Sequence, residues 1–261
     1  MRKLLLFSLL LSSFSMHALS DTLKSNGTKM KRWNITASVG YGFPFSKHVL
    51  GSEATVDSNS TSRGKIIRGT YGKGIFCFVS AGYKINSHLG AELGIHSTVG
   101  SKLLVNQFNN LVFNSGSETF MQISTSGMFA GFFLTDTYSK FHISLHTDLL
   151  IGMLNRATEE RFTGSIQYPT WEYSGRISYG WLSRFGGSYD ISPKINIGLT
   201  GFFLMHSWSP AQKNTLNGQN KITFTDDILY NGFYPISTDQ LSRVTFPLHA
   251  AGASIFISYN F

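Results

Sequence analysis

The sequence predicts an all-β fold, a transmembrane antiparallel up-and-down β-barrel of eight strands, and three observations predict it. The first is a final strand of period two. His249, Ala251, Ala253, Ile255, Ile257, Tyr259 and Phe261 share one face, against Ala250, Gly252, Ser254, Phe256, Ser258 and Asn260 on the other. Alternation of this kind means that one face meets an apolar phase and the other does not. Amphipathic rings at the end of such a strand belong at a membrane–water boundary. The second is a secretory signal: Arg2 and Lys3 precede an apolar run from Leu4 to Phe14, and Ala18-Leu19-Ser20 offers small residues for cleavage after Ser20. That run is too short to span a bilayer. The third is composition: charged residues make up 14% and aromatics 14%, with 22 Phe, 11 Tyr and 26 Gly. Soluble domains carry about a quarter charged residues. No later stretch reaches the ~18 consecutive apolar residues of a spanning helix, so apolar residues spread by alternation leave a closed barrel as the spanning structure.

The organisation expected is a cleaved signal over 1–20, a short periplasmic segment over 21–32 and a barrel over 33–261. The first strand, 33–43, places Trp33, Ile35, Ala37, Val39, Tyr41 and Phe43 on one face. The second, 73–85, turns Ile75, Cys77, Val79, Ala81, Tyr83 and Ile85 to lipid, which makes the single Cys77 a small hydrophobe. Asn86-Ser87 turns it into the third, where Leu89, Ala91, Leu93 and Ile95 alternate with Gly90, Glu92, Gly94 and His96. The fourth, 120–134, is less regular and ends with Met128, Ala130, Phe132 and Leu134 outward. After a tight turn at 136–139, the fifth sends Phe141, Ile143, Leu145, Thr147, Leu149, Ile151 and Met153 out. The sixth, 171–189, sends Tyr173, Ile177, Tyr179, Trp181, Phe185 and Tyr189 out. A Pro193 turn leads to the seventh, with Ile195, Ile197, Leu199, Gly201, Phe203 and Met205 outward. Each strand is near or above the ~9–11 residues that a tilted barrel strand needs.

Connections sort by length. Turns near Asn86, Asp136 and Ser192 are short, whereas loops at about 44–72, 100–119, 154–170 and 208–243 are long and polar. Short periplasmic turns and long outside loops are the asymmetry of outer-membrane barrels. Ten strands follow instead if the last loop hides a membrane hairpin, with 221–224 and 228–233 as its arms and Asp226-Asp227 at its turn. No internal repeat, low-complexity tract or second domain is visible, and a periplasmic module after the final strand is not expected.

Together the signal, the alternating strands, the three short turns, the four long loops and the final Tyr-Asn-Phe resemble the small outer-membrane barrels. That group includes the transmembrane domain of outer membrane protein A and the opacity and attachment-invasion proteins. The resemblance covers about 33–261. It implies a bacterial outer-membrane location, insertion by the barrel assembly machinery with Ile257, Tyr259 and Phe261 as the assembly signal, and a structural or adhesive role.

An eight-stranded barrel has an interior just wide enough to be filled by side chains. Positions expected to face inward are Lys84, Glu92, His96, His142, His146, Asp148, Arg176 and Arg184. Crowded acids and bases pair, because unpaired buried charge is costly, so these residues read first as a lumenal charge network that locks the barrel shut. A narrow gated pore and a histidine-based proton switch are the functional alternatives. A hydrolase acting on lipid A or peptides would draw on His142, His146 and Asp148 with Ser144 or Ser178. Ser144, however, shares a strand face with both histidines at roughly twice the ~3 Å that a nucleophile and its base require. His142 and His146 stand about 13 Å apart on one strand, too far to share a metal ion, and His48, His206 and His249 read as isolated.

No cofactor and no metal are expected. The net charge of +8 falls to +6 without Arg2 and Lys3, and export argues against a nucleic-acid partner. Lys47, Arg63, Lys65, Arg68 and Lys73 outnumber Glu53 and Asp57 in the first loop by three charges. That suits lipopolysaccharide phosphates or sulfated external ligands, or an ordinary solvated loop. The function expected is therefore non-enzymatic surface interaction through long loops.

Overall fold

The computed structural model of the chain describes residues 32–56, 62–111, 113, 115–216, 220–225, 230–231, 234–235, 240–242 and 244–261. The expected signal over 1–20, residues 21–31, Asp57 and Asp226-Asp227 lie outside the described residues.

Eight long strands build the wall. They are β1 (Trp33–Pro44), β2 (Gly74–Lys84), β3 (Leu89–Gly100), β4 (Ser115–Tyr138), β5 (Phe141–Thr163), β6 (Ser178–Asp190), β7 (Ile195–Trp208) and β8 (Ala250–Asn260). Each pairs antiparallel with its chain neighbours. β1 and β8 close the ring from Asn34↔Asn260 to Pro44↔Ala250. At the seam Trp33 N donates to Phe261 O at 3.3 Å and Phe261 N to Trp33 O at 3.0 Å. Closure removes every edge at membrane depth, where no water could satisfy an open backbone group.

The short turns hold by side-chain capture of backbone. Asn86 Oδ1 accepts from the amides of His88 (2.9 Å) and Leu89 (2.7 Å). Ser192 Oγ accepts from Lys194 and Ile195 at 3.3 and 3.1 Å. These Asx- and Ser-type turns compete well with strand pairing over two residues and so reverse the chain sharply.

Polarity inverts along the strands, and the inversion marks where lipid ends. Low on β4, Met128, Ala130 and Phe132 are exposed on the outer face. Higher on the same strand Met121 and Ile123 are buried inside, while Gln122 and Ser124 stand outside. β5 behaves alike, with Leu149 and Met153 outward below and Ala157 buried inside above. An apolar outer face fits hydrocarbon, and an apolar inner face fits water outside. Strands of 24 and 23 residues in β4 and β5 therefore carry the barrel well past the bilayer.

Much of what reads as long loops in the sequence is this extracellular extension. Leu103–Asn110 pairs with the top of β4, so the segment 100–119 is largely sheet. The segment 154–170 continues β5 to Thr163. His48–Val56 and Ser62–Gly69 form a hairpin whose first arm runs parallel to Leu103–Asn110. Lys221–Thr225 pairs with Gln212–Thr215 and Gln240–Ser242 in the outer sheet. It does not enter the ring, which closes with eight strands and not ten. A buried cluster of Tyr71, Val105, Met121, Ile123, Ala157, Tyr173, Trp208, Phe224, Phe246 and Leu248 fills this outer storey.

Tyr173 departs from the outward position its sequence phase gave it. Gly175 and Arg176 have φ of 83° and 63°, so the chain breaks between Trp171–Ser174 and β6 and the phase slips by one residue. Tyr173 is buried inside, while Ile177 and Tyr179 remain outward. Its hydroxyl donates to Glu159, and Lys213 Nζ lies 4.5 Å from the Trp171 ring centroid and 5.3 Å from that of Tyr173.

Two outcomes are expected. Leu145 faces lipid and Ser144 the lumenal recess, so Leu145→Arg should cost about 2–4 kcal/mol in a bilayer, whereas Ser144→Asn should change urea stability little. Equal losses would contradict the phase of β5. In the outer storey, burial first and the Glu159 charge second push the Tyr71 phenol up to about 12 and raise that of Tyr173 above its usual range. The folded state thus prefers the neutral phenols. Their contribution to stability is full below about pH 10, the ordinary tyrosine value, and falls as pH rises toward 12. Absorbance titration at 295 nm should show Tyr71 and Tyr173 among the late tyrosines, with one late step lost in Tyr71→Phe; a single transition near pH 10 would contradict this.

Candidate functional site

The lumen is filled in layers. In the middle, Phe76, Phe78, Phe129, Leu150, Leu182, Phe202, Leu204 and Ala250 form a buried apolar cluster. The rings find room over glycines on the neighbouring strand: a Cβ at Gly90 would stand 2.2 Å from the Phe133 ring, at Gly94 2.4 Å from Phe129 and at Gly252 2.5 Å from Phe202. Ring over glycine is how a narrow barrel holds so many aromatics without overpacking.

Toward the periplasmic side of this layer lies the charge network. β3 supplies Glu92, β5 supplies His146 and Asp148, and β6 supplies Arg184, directly opposite His146 in the ladder. One guanidinium nitrogen of Arg184 donates to Glu92 Oε1 at 2.7 Å and to Asp148 Oδ2 at 3.0 Å, and His146 Nδ1 meets Glu92 Oε1 at 2.5 Å. Side-chain exposure is 6% for Arg184, 2% for Glu92 and 0% for Asp148. The guanidinium carbon lies 5.1 Å from the Phe129 centroid and 5.8 Å from that of Phe78, and His146 stacks on Phe133 at 5.4 Å. Arg184 thus joins the apolar layer, through the faces of its guanidinium, to the acids, through one shared terminal nitrogen. Glu92 can reach across because its ladder partners on both sides are Gly82 and Gly131.

The other expected members lie elsewhere. Lys84 lines a recess open toward the periplasmic end, together with Asn34, Ser144 and Ser258. His142 sits near its rim, 2.9 Å from Thr137 Oγ1 and 2.9 Å from Asp190. Arg176 leaves the lumen altogether: the positive φ at the strand break turns it to solvent.

The histidines that read as isolated are not. His206 Nε2 lies 2.7 Å from Ser178 Oγ and its ring 6.4 Å from that of His96. His48 and His249 meet edge to face at 5.1 Å. Ser178 and His206 have the reach of a nucleophile and base, yet they are only 3% and 2% exposed, and no carboxylate among the described residues hydrogen-bonds His206. Asp148 is committed to Arg184 and His146 to Glu92, so the hydrolytic set of His142, His146, Asp148 and Ser144 is not assembled. Among the described residues no group of three His, Cys, Asp or Glu could hold a metal ion.

Outside, the wall shows lipid an apolar band. Trp33, Tyr138, Phe141, Tyr189, Tyr259 and Phe261 ring its lower rim, and Tyr41, Phe43, Phe45 and Tyr179 stand near the upper one. Cys77 is exposed on this band, and Ile257, Tyr259 and Phe261 all point outward from the closing strand and its end. Aromatic girdles around a closed antiparallel ring define one kind of membrane protein. The chain is an eight-stranded outer-membrane barrel. Solved structures with related strand arrangements include neisserial surface protein A, with 13% identity over 88% of this chain and 97% of that one and a TM-score of 0.42. The attachment invasion locus protein Ail of Yersinia pestis matches with 10% identity over 88% and 99% and a TM-score of 0.34. The outer membrane protease OmpT of Escherichia coli matches with 7% identity over 92% and 100% and a TM-score of 0.37. No protein-family profile and no curated protein matches the sequence.

Removing Arg184 would leave two buried carboxylates facing each other. Arg184→Ala should lower unfolding stability by about 3–5 kcal/mol, and adding Glu92→Gln should restore part of the loss. Additive losses in the double variant, measured by urea unfolding in bilayers, would show that the two side chains do not interact.

Proposed function

We propose that this barrel is non-enzymatic and non-conducting, and that its extracellular sheet is the working surface, presented to polyanionic partners. The observation that carries this reading is the filled lumen. A paired charge layer, an aromatic layer and the outer aromatic storey follow one another along the axis, which leaves little path for solutes. A fold that spends its interior on packing acts through its outside.

The hairpin of His48–Val56 and Ser62–Gly69 is the part of that surface with a distinct chemistry. Arg63, Lys65 and Arg68 are exposed along its second arm, with Lys47 and Lys73 exposed at its base. Among the described residues that arm pairs on one side only. Charged side chains on such an edge discourage strand addition and offer a positive strip to lipopolysaccharide phosphates or sulfated ligands. Ile257, Tyr259 and Phe261 act, in the same reading, as the signal for the barrel assembly machinery during insertion.

Two measurements test the reading. In planar bilayers the protein should pass almost no ions, and steady conductance would instead favour a pore. In nanodiscs, binding of a sulfated polyanion such as heparin should weaken strongly with salt and fall at least tenfold, about 1.4 kcal/mol, in the triple variant Arg63→Ala, Lys65→Ala, Arg68→Ala. Unchanged binding would remove the hairpin from the proposal.

A further inference from the structure

The wall between β5 and β6 is interrupted at one height. On β5 the register with β4 slips, with Ser126 opposite Leu154 but Gly127 opposite Gly152, so that Met153 has no partner. Met153 and Leu154 both stand exposed as a result, the usual effect of a bulge, which re-aims side chains. Beside it the neighbouring strand stops at Ser174, passes through Gly175 and Arg176 in left-handed backbone and resumes at Ser178. A non-glycine residue in that region is uncommon. The freed carbonyls are nonetheless satisfied: Trp208 Nε1 donates to Gly175 O at 2.9 Å, and Asn155 Nδ2 donates to both Arg176 O and Gly152 O at 3.1 Å. The break is sealed from within.

Its outer side is amphiphilic. Arg176 is exposed and, among the described residues, its guanidinium has no partner. Ile177 and Tyr179 lie exposed just below it, with Leu154 across the break. The next outward residue above Leu154 is Arg156, opposite Ser174 in the ladder and bonded through one nitrogen to Glu172 at 2.7 Å. This is the height at which the polarity of β4 and β5 inverts, where the headgroups of the outer leaflet must lie.

We propose that the break is a binding site for a phosphate-bearing lipid of the outer leaflet. Arg176 takes the phosphate through its planar fork, a geometry suited to bidentate contact, with Arg156 held beside it by Glu172. Leu154, Ile177 and Tyr179 receive the acyl chains. Because Glu172 offsets the charge of Arg156, Arg176 dominates the recognition. The site lies on the membrane wall, apart from the basic hairpin, and does not depend on the function proposed for that hairpin.

The test separates the cation from the fold. Arg176→Gly removes the guanidinium at a position where glycine adopts the backbone without strain, so the variant should fold at least as stably as the natural protein. The full barrel in nanodiscs is titrated with bis-phosphorylated lipid A and with its dephosphorylated form, and read by native mass spectrometry. The natural protein should retain the phosphorylated lipid preferentially. Arg176→Gly should weaken that retention by about tenfold, the scale of losing a charge-assisted bidentate contact, and bind the dephosphorylated lipid unchanged. Lys140→Ala, which removes one exposed cation from the turn at the opposite rim, should behave like the natural protein. Equal retention of both lipids by the natural protein, undiminished retention in Arg176→Gly, or an equal loss in Lys140→Ala would each overturn the proposal.

Discussion

Closing eight strands into a ring with β1 against β8 solves the backbone problem of the bilayer and creates a second one inside. The ring gives every wall strand a partner on both sides, as the bilayer demands, but its interior is only as wide as the side chains that must fill it. Each inward position therefore has to be matched to the positions around it. The sequence meets this demand in two ways: phenylalanines lie over cross-strand glycines, and Arg184 pulls Glu92 and Asp148 onto one centre beneath the rings. Both devices follow from closure.

Bilayer thickness then divides the molecule. Below the level of Leu154 and Met128 the strands turn their apolar residues outward. Above it the same strands turn them inward, around Tyr71, Tyr173 and Trp208. The upper storey is thus built like a soluble sheet, with its own core and its own ion-pair-and-aromatic contacts at Glu159 and Lys213. The break between β5 and β6 falls at the boundary, where the wall passes from one solvent to the other.

This division explains how much of the molecule is legible in the sequence. Period two with an apolar face is unambiguous where lipid lies outside, so the phases of β1, β2, β3, β7, β8 and the lower halves of β4 and β5 can be read directly. Above the boundary the same period continues with the polarity reversed, so Met121 and Ile123 make the start of the fourth strand look irregular and Ala157 reads as a loop residue. The slip at Met153 and the left-handed pair Gly175-Arg176 then shift the parity, which is why Tyr173 reads as outward and Arg176 as lumenal. Glu92, His146, Asp148 and Arg184 could be placed together because each sits in an unbroken phase. The meeting of Ser178 with His206, and of His48 with His249, depends on the height at which distant strands and loops come level, and no spacing in the chain reports it. Phe76, Phe78, Phe129 and Phe202 fall on the inward phase of the same alternation, but polar lining is the usual pattern for a barrel interior, and nothing in the chain marks these rings as one packed layer.

The central claim is that the lumen is filled and closed, and solvent access at named heights tests it most directly. In a Cys77→Ala background, Ser144→Cys places a thiol in the periplasmic recess and Leu182→Cys places one in the apolar layer. A charged methanethiosulfonate reagent applied to the folded protein in bilayers should modify the first readily and leave the second unmodified over the same time. Modification of both at similar rates would show a continuous water path through the barrel and would contradict the account.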